Sequence, residues 1–181
     1  RTLRRRVIGP SSEGGGLIEI RAGSRDAVDT SAIATTDSVQ LVGKVVRVSS
    51  RTSSVRLITD ASSGTIDGYI MTSDLERGPQ CKGLAPVGGQ KLQTRVRVSA
   101  DQRVPEIGQT VRLVDDQWPR SAQMLIIGVI AEKPLRDSTG WYVVTVKPTV
   151  DLERLSEVVL RIAVPEAEEK SAPPSTDGSK P

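Results

Sequence analysis

The chain contains no histidine, no phenylalanine and a single cysteine, Cys81, in 181 residues. Each absence removes a class of chemistry. A Ser-His-Asp triad, a Cys-His pair, a zincin helix and a Cys/His zinc finger all need residues that are missing here. A lone thiol excludes an internal disulfide and leaves the redox compartment open. The aromatic residues are only Trp118, Trp141, Tyr69 and Tyr142. Single-strand nucleic-acid binders stack bases on aromatic platforms, so this scarcity counts against that class. Long apolar runs are missing too. The longest, Met124 to Ala131, has Gly128 inside it and falls far short of the roughly 20 residues that span a bilayer. No signal peptide is visible. The chain starts at Arg1 rather than Met, which reads as a fragment or processed product, with any membrane anchor upstream.

What is present is a β-forming composition. Val dominates the apolar set, and Ile is nearly as common as Leu. Branching at Cβ suits a pleated surface better than a helix. Hydrophobic residues make up 36% of the chain and the formal charge is +3. Part of the length therefore lies outside a core. Pro165 to Pro181 has four prolines and no aliphatic side chain larger than Ala, which predicts a disordered tail. Arg1 and Arg4 to Arg6, followed by a Gly/Ser-rich stretch through Gly16, read as a solvated basic arm or, alternatively, as a contact for an anionic surface.

Between these ends the pattern has period two. Leu92, Thr94, Val96 and Val98 alternate with Gln93, Arg95 and Arg97. Val55 to Thr59 and Val158 to Val164 alternate likewise. Further strands are expected at Leu17 to Arg21, Ala32 to Thr35, Val39 to Val48, Thr65 to Met71, Thr110 to Val114, Met124 to Ala131 and Trp141 to Lys147. Turns are expected at Ser62 to Gly64, Gly88-Gly89 and Asp137 to Gly140, with one helical turn at Asp151 to Leu155. Short strands with frequent turns indicate an all-β sandwich or small barrels. An echo accompanies them. Gly23 and Gly43 are twenty residues apart, as are Gly108 and Gly128, and the two later glycines sit inside apolar strands. A glycine inside a strand marks a bulge, a corner or a close backbone approach. This points to two similar β units offset by 85 residues, against the alternative of one larger sandwich.

No catalytic set, metal site or cofactor site emerges. Asp115 and Asp116 are adjacent, so in extended chain they face apart, and a solvated turn suits them better than a shared-proton dyad. The lysines of the strand patterns, Lys44 and Lys147, are expected to face solvent and to make poor bases. Cys81 has Lys82 beside it but no base or resolving thiol. Gly14 to Gly16 precedes a strand rather than a helix, which is the wrong setting for a phosphate loop. Trp141 opens a strand and reads as core. Trp118 lies in a loop signal and reads either as core or as an interface anchor; it is the single candidate for partner contact.

The order of four segments, Leu17 to Val28, Leu41 to Asp60, Ile107 to Val114 and Ile126 to Leu160, resembles the extracytoplasmic domain of the bacterial rod-shape-determining MreC family. The family's Gly-Ser-x-Asp-Gly-Val turn is similar to Gly23-Ser24-Arg25-Asp26-Ala27-Val28, with Ala27 at the usual Gly. Its Leu-Val-Gly-x-Val strand matches Leu41 to Val45, and its Thr-Ser-x-Val-x-Leu-Ile-Thr-Asp segment matches Thr52 to Asp60. Val7-Ile8-Gly9 is similar to the strand that follows the family's coiled coil, and Gly108 and Gly128 fit later strand positions. Val146, Pro148, Asp151, Leu152, Leu155 and Val158 fit the closing motif. Trp118-Pro119 stands where the family has Phe-Pro, in a loop of different length.

The resemblance implies two small β-barrel-like subdomains with little helix. The expected divisions are a basic arm (1–16) leading from an upstream coiled coil, whose last turn Arg4 to Arg6 would form, a first subdomain (17–85), a second (86–164, with or without shared strands) and a tail (165–181). It makes Gly23, Asp26, Val28, Gly43, Val45, Leu57, Asp60, Gly108, Gly128, Pro148 and Leu152 fold determinants. It also implies a non-enzymatic scaffold on the periplasmic side of the inner membrane. Such a scaffold self-associates, binds a class B penicillin-binding transpeptidase, acts with MreD and uses no cofactor. The competing reading is an oligonucleotide-binding barrel, favoured by the pI near 9.2 and by Arg47, Arg56, Arg95 and Arg97 on strand faces. The net charge of only +3 and the scarce aromatics oppose it.

Overall fold

A computed structural model describes residues 1–11, 15–37 and 39–163. The tail from 165 on lies outside them, as do residues 12–14 of the glycine-rich stretch. The described chain is thirteen strands and four single-turn 3-10 segments. Among these residues no helix is long and apolar enough to cross a membrane.

Six strands close the first barrel: β1 (Thr2–Pro10), β2 (Leu17–Ile20), β3 (Ile33–Thr35), β4 (Leu41–Val48), β5 (Ser53–Leu57) and β13 (Glu157–Arg161). Their order is β1-β13-β3-β4-β5-β2, with β2 pairing back onto β1. The second unit is built from β6 (Ile66–Met71), β7 (Arg77–Gly88), β8 (Lys91–Val96), β9 (Thr110–Leu113), β10 (Ile126–Ile130), β11 (Leu135–Arg136) and β12 (Tyr142–Lys147). Its order is β10-β9-β6-β7-β8-β12, closed by pairing of β10 with β12, while β11 extends from β12. Closure leaves few unpaired edges in either unit. The inward-facing Val, Ile and Leu side chains of both barrels form one continuous buried cluster.

Two expectations are corrected. The basic arm is the strand β1. Leu3, Arg5, Val7 and Gly9 are half-buried, and the residues between them face solvent. Three consecutive arginines, Arg4 to Arg6, hide this period, and antiparallel pairing to β13 and β2 supplies the strand's hydrogen bonds. Arg4 to Arg6 are therefore not the end of a coiled coil. The boundary also moves. It falls between β5 and β6 rather than at residue 85, and β13 returns from the far end of the chain to complete the first barrel. The first barrel thus takes strands from both sides of the second in the sequence.

The strand β7 has no clear sequence signal, since it contains Gly78, Pro79, Gly83 and Pro86. Its registers show why it tolerates them. Pairing with β8 starts only at Ala85, so Pro79 lies where β7 pairs with β6 alone. Gly83 has φ +62°, and its N–H donates to Asp67 Oδ1 at 2.7 Å.

The 85-residue echo is a structural repeat. Gly43 lies on β4, the middle strand of β3-β4-β5, and Gly128 on β10, the middle strand of β9-β10-β12. A Cβ on Gly43 would run into the carbonyl oxygen of Arg56, and one on Gly128 into that of Lys147. Both glycines therefore mark close backbone approaches. The match extends to the strand entrances, where Val39 has φ +66° and Met124, 85 residues later, φ +64°. Non-glycine residues rarely adopt this region, and a β-branched one least of all.

Candidate functional site

The two strained entrances meet. Gln40, between Val39 and β4, forms a parallel bridge with Ile126 at the start of β10, and the Ile126 N–H donates to the Val39 carbonyl at 3.0 Å. The Gln40 side chain is 1% exposed. Its amide nitrogen lies within 3.0 Å of the carbonyl oxygens of Leu41, Ile126 and Ile127. Its amide oxygen accepts from the N–H of Thr149 at 3.1 Å and the hydroxyl at 2.9 Å. One buried amide thus joins the first barrel, the second barrel and the return segment. Buried polar groups satisfied in this way rigidify what they connect. Sequence reasoning missed Gln40. Its one signal is that a polar residue stands directly before the apolar run of β4, where the repeat-equivalent position holds Leu125.

A second contact lies along the same seam. Lys44 of β4 donates to the Gln117 carbonyl at 2.8 Å, and its ammonium sits 4.0 Å from the centre of the Trp118 ring. Burial lowers the Lys44 pKa below the usual lysine value, partly opposed by Asp115. The solvent-facing lysine expected at this position is therefore half-buried in the junction. Gln123 holds the loop around Trp118, donating to the carbonyls of Asp115 at 2.8 Å and Trp118 at 3.0 Å. Arg161 of β13 reaches the Ser121 carbonyl at 2.9 Å.

Trp118 takes the core alternative, and Trp141, expected in the core, lies outside it. Trp118 is 8% exposed, whereas Trp141 is 39% exposed. Trp141 precedes β12 at a hairpin tip, where Thr139 and Arg95 bind the Asp137 carboxylate and hold its pKa well below the usual range. Arg95, Val143 and Leu135 are opposite one another across β8, β12 and β11. Leu135 is 67% exposed, so this outer face of the second barrel is apolar with a charged border.

The motif residues lie at buried, turn or close-packed positions of the fold. Val28, Val45, Leu57 and Leu152 are buried, and Pro148 packs beside Gly128. Asp26 accepts from the Gly23 N–H at 3.1 Å and from Arg5 at 3.0 Å; both interactions lower its pKa. Ala27 takes the left-handed conformation, φ +62°, that the usual glycine adopts freely. Gly23 packs against the Ser49 carbonyl. Asp60 caps the turn Ala61–Ser63 through the Ser62 N–H at 2.9 Å. Gly108 adopts φ +87° ahead of β9. None of these side chains converges on a shared cavity. The Cys81 thiol is buried, and desolvation with Asp67 nearby pushes its pKa up to about 12. Among the described residues no group of three Cys, Asp or Glu side chains is placed to hold a metal ion.

These features define a tandem module of two closed six-stranded barrels fused through a buried polar seam. The sequence profile "Rod shape-determining protein MreC, barrel core" matches residues 10–161, and the chain belongs to the MreC family. An MreC crystal structure from Pseudomonas aeruginosa is similar, with TM-score 0.69, 22% identity, and coverage of 89% of this chain and 99% of that one. A Listeria monocytogenes MreC structure has TM-score 0.65 and 21% identity over 91% of this chain and 77% of its own. The major periplasmic domain of "the cell shape-determining filament MreC" has TM-score 0.62 and 15% identity, covering 88% of this chain and 94% of that one. No curated protein sequence matches the chain. It is thus a rod-shape-determining protein of β-barrel fold, with a scaffold role that fits its family.

Proposed function

We propose that this module is a non-enzymatic periplasmic scaffold of the cell-wall elongation complex. It is held at the inner membrane by a segment outside this chain. In this reading it binds a class B penicillin-binding transpeptidase, works alongside MreD and associates with further copies of itself. The observation that carries the reading is the Gln40 seam: two barrels tied by a buried, fully hydrogen-bonded amide present their outer faces in a fixed relation. Preferential binding of such a rigid surface to one conformation of the transpeptidase shifts that enzyme's equilibrium without any chemistry of its own. The Leu135, Val143 and Trp141 face is the apolar surface best placed for the contact, replacing Trp118, whose ring is engaged by Lys44.

The test is binding of this chain to the soluble ectodomain of its own organism's elongation transpeptidase, followed by biolayer interferometry. Saturable binding, weakened at least tenfold by Leu135→Glu, is expected. No binding at high concentration overturns the transpeptidase contact. A strict monomer across a sedimentation concentration series overturns self-association through these barrels. Of the arginines in the oligonucleotide reading, Arg95 is paired with Asp137 and Arg56 with Asp60.

A further inference from the structure

A small cleft of about 160 Å³ opens along the barrel junction, lined by Lys44, Val46, Arg56, Ile58, Ser62, Ser63 and Trp118. Its two cations are direct cross-strand neighbours, since Lys44 of β4 is in register with Arg56 of β5. Like charges in that relation repel, and half-burial reduces the water that would screen them. The carboxylates nearby compensate the two cations only in part. Asp60 Oδ1 takes the N–H and hydroxyl of Ser62 and makes a long ion pair, 3.9 Å, with Arg56 Nε. Asp115 takes the N–H groups of Asp67 at 3.0 Å and Gln117 at 2.7 Å. Arg56 Nε is shielded from solvent and makes no hydrogen bond, while the side chain as a whole stays 35% exposed; a guanidinium hydrogen-bonded so incompletely gains from a further acceptor at its exposed part.

From this cleft we infer a docking site for a carboxylate side chain of an acidic peptide segment, held between Lys44 and Arg56, with Lys44 rather than the carboxylate lying over the Trp118 ring. A carboxylate matches the guanidinium geometry and relieves the repulsion between the cations. The volume admits one acidic side chain and little more. The cleft opens beside Val46, which is 38% exposed, so the peptide's neighbouring residues lie over an apolar rim. That openness favours a side chain of an extended segment over an enclosed small metabolite. The inference does not depend on which protein supplies the segment, and it concerns a different surface from the β11-β12 face.

The test uses this chain with Trp141→Phe, which leaves Trp118 as the only indole. The probe is the peptide acetyl-Leu-Glu-Leu-amide, with acetyl-Leu-Gln-Leu-amide and sodium acetate as controls. A saturable change in Trp118 fluorescence is expected with the glutamate peptide. Its dissociation constant should be at least tenfold weaker for the glutamine peptide, and severalfold weaker between 50 and 500 mM salt. Lys44→Met and Arg56→Met, each checked by circular dichroism and melting, should weaken it at least tenfold. If Arg56→Met fails to fold, Lys44→Met carries the test alone. Equal response to both peptides, or unchanged affinity in folded variants, overturns the inference. Acetate binding as tightly as the glutamate peptide overturns the peptide assignment in favour of a free anion.

Discussion

The two barrels share a strand count and an internal repeat, yet they are assembled from the chain in opposite ways. The second uses one continuous stretch from β6 to β12. The first takes five strands from the start of the chain and its sixth, β13, from the far end, so its closure waits on residues that follow the whole second barrel. Closing so long a loop costs entropy before any contact of β13 returns it. The first barrel therefore depends on the second to bring its ends together, while the second has every strand it needs within itself.

Ending the chain before β13 should break that dependence most severely. It removes the buried Val158 and Leu160 and the partners of both β1 and β3. The expected outcome is loss of amide protection across β1 to β5 with protection retained in β6 to β12. Cys81 gives an independent readout, because its buried thiol resists alkylation until the second barrel opens. It should stay protected in the truncated chain, and rapid labelling would show that the dependence runs both ways.

The repeat glycines allow a matched comparison. Gly43→Ala and Gly128→Ala each force a methyl group onto a backbone carbonyl. Each should cost about 3 kcal/mol, the upper range for overpacking, because backbone cannot rotate away. Gly128→Ala should speed Cys81 labelling strongly, whereas Gly43→Ala should speed it only as far as the barrels unfold together.

Gln40→Ala tests the joint itself. It leaves the carbonyl of Ile126 and the N–H of Thr149 without their partner, at a cost of about 2–3 kcal/mol. Two resolved melting transitions in place of one are the expected signature. A single, merely lowered transition would mean that the rest of the seam suffices to couple the barrels.

The smallest effect concerns acid. Asp26 in the first barrel and Asp137 in the second both have carboxyl pKa values lowered by hydrogen bonds. A carboxylate depressed in the folded state adds stability above its unfolded pKa of about 4. That contribution disappears as pH falls through the lowered value. Melting temperature should therefore hold from pH 7 to about 5 and decline below about 4. Asp26→Asn should flatten the decline of the first barrel, and Asp137→Asn that of the second, seen by residue-resolved exchange.

Most strands were legible because alternation of branched aliphatic and polar side chains is a local property. It located β2 to β6, β8 to β10, β12 and β13 to within a few residues. The Asp151 capped turn and the hairpin glycines carried equally local signals. The strand β7 was not legible and β1 only at Val7-Ile8-Gly9, because arginines in one and Gly and Pro in the other mask a period that only their neighbours' hydrogen bonds reveal. The sequence by itself determined an all-β chain with two related units, and its family. Only the tertiary structure decided that β13 closes the first barrel, that Gln40 joins the two, that Trp118 is buried while Trp141 is exposed, and that Lys44 faces Arg56 across a cleft. Those facts depend on which distant residues come into contact. That is set by the packing of the whole buried cluster, and no local window of side chains contains it.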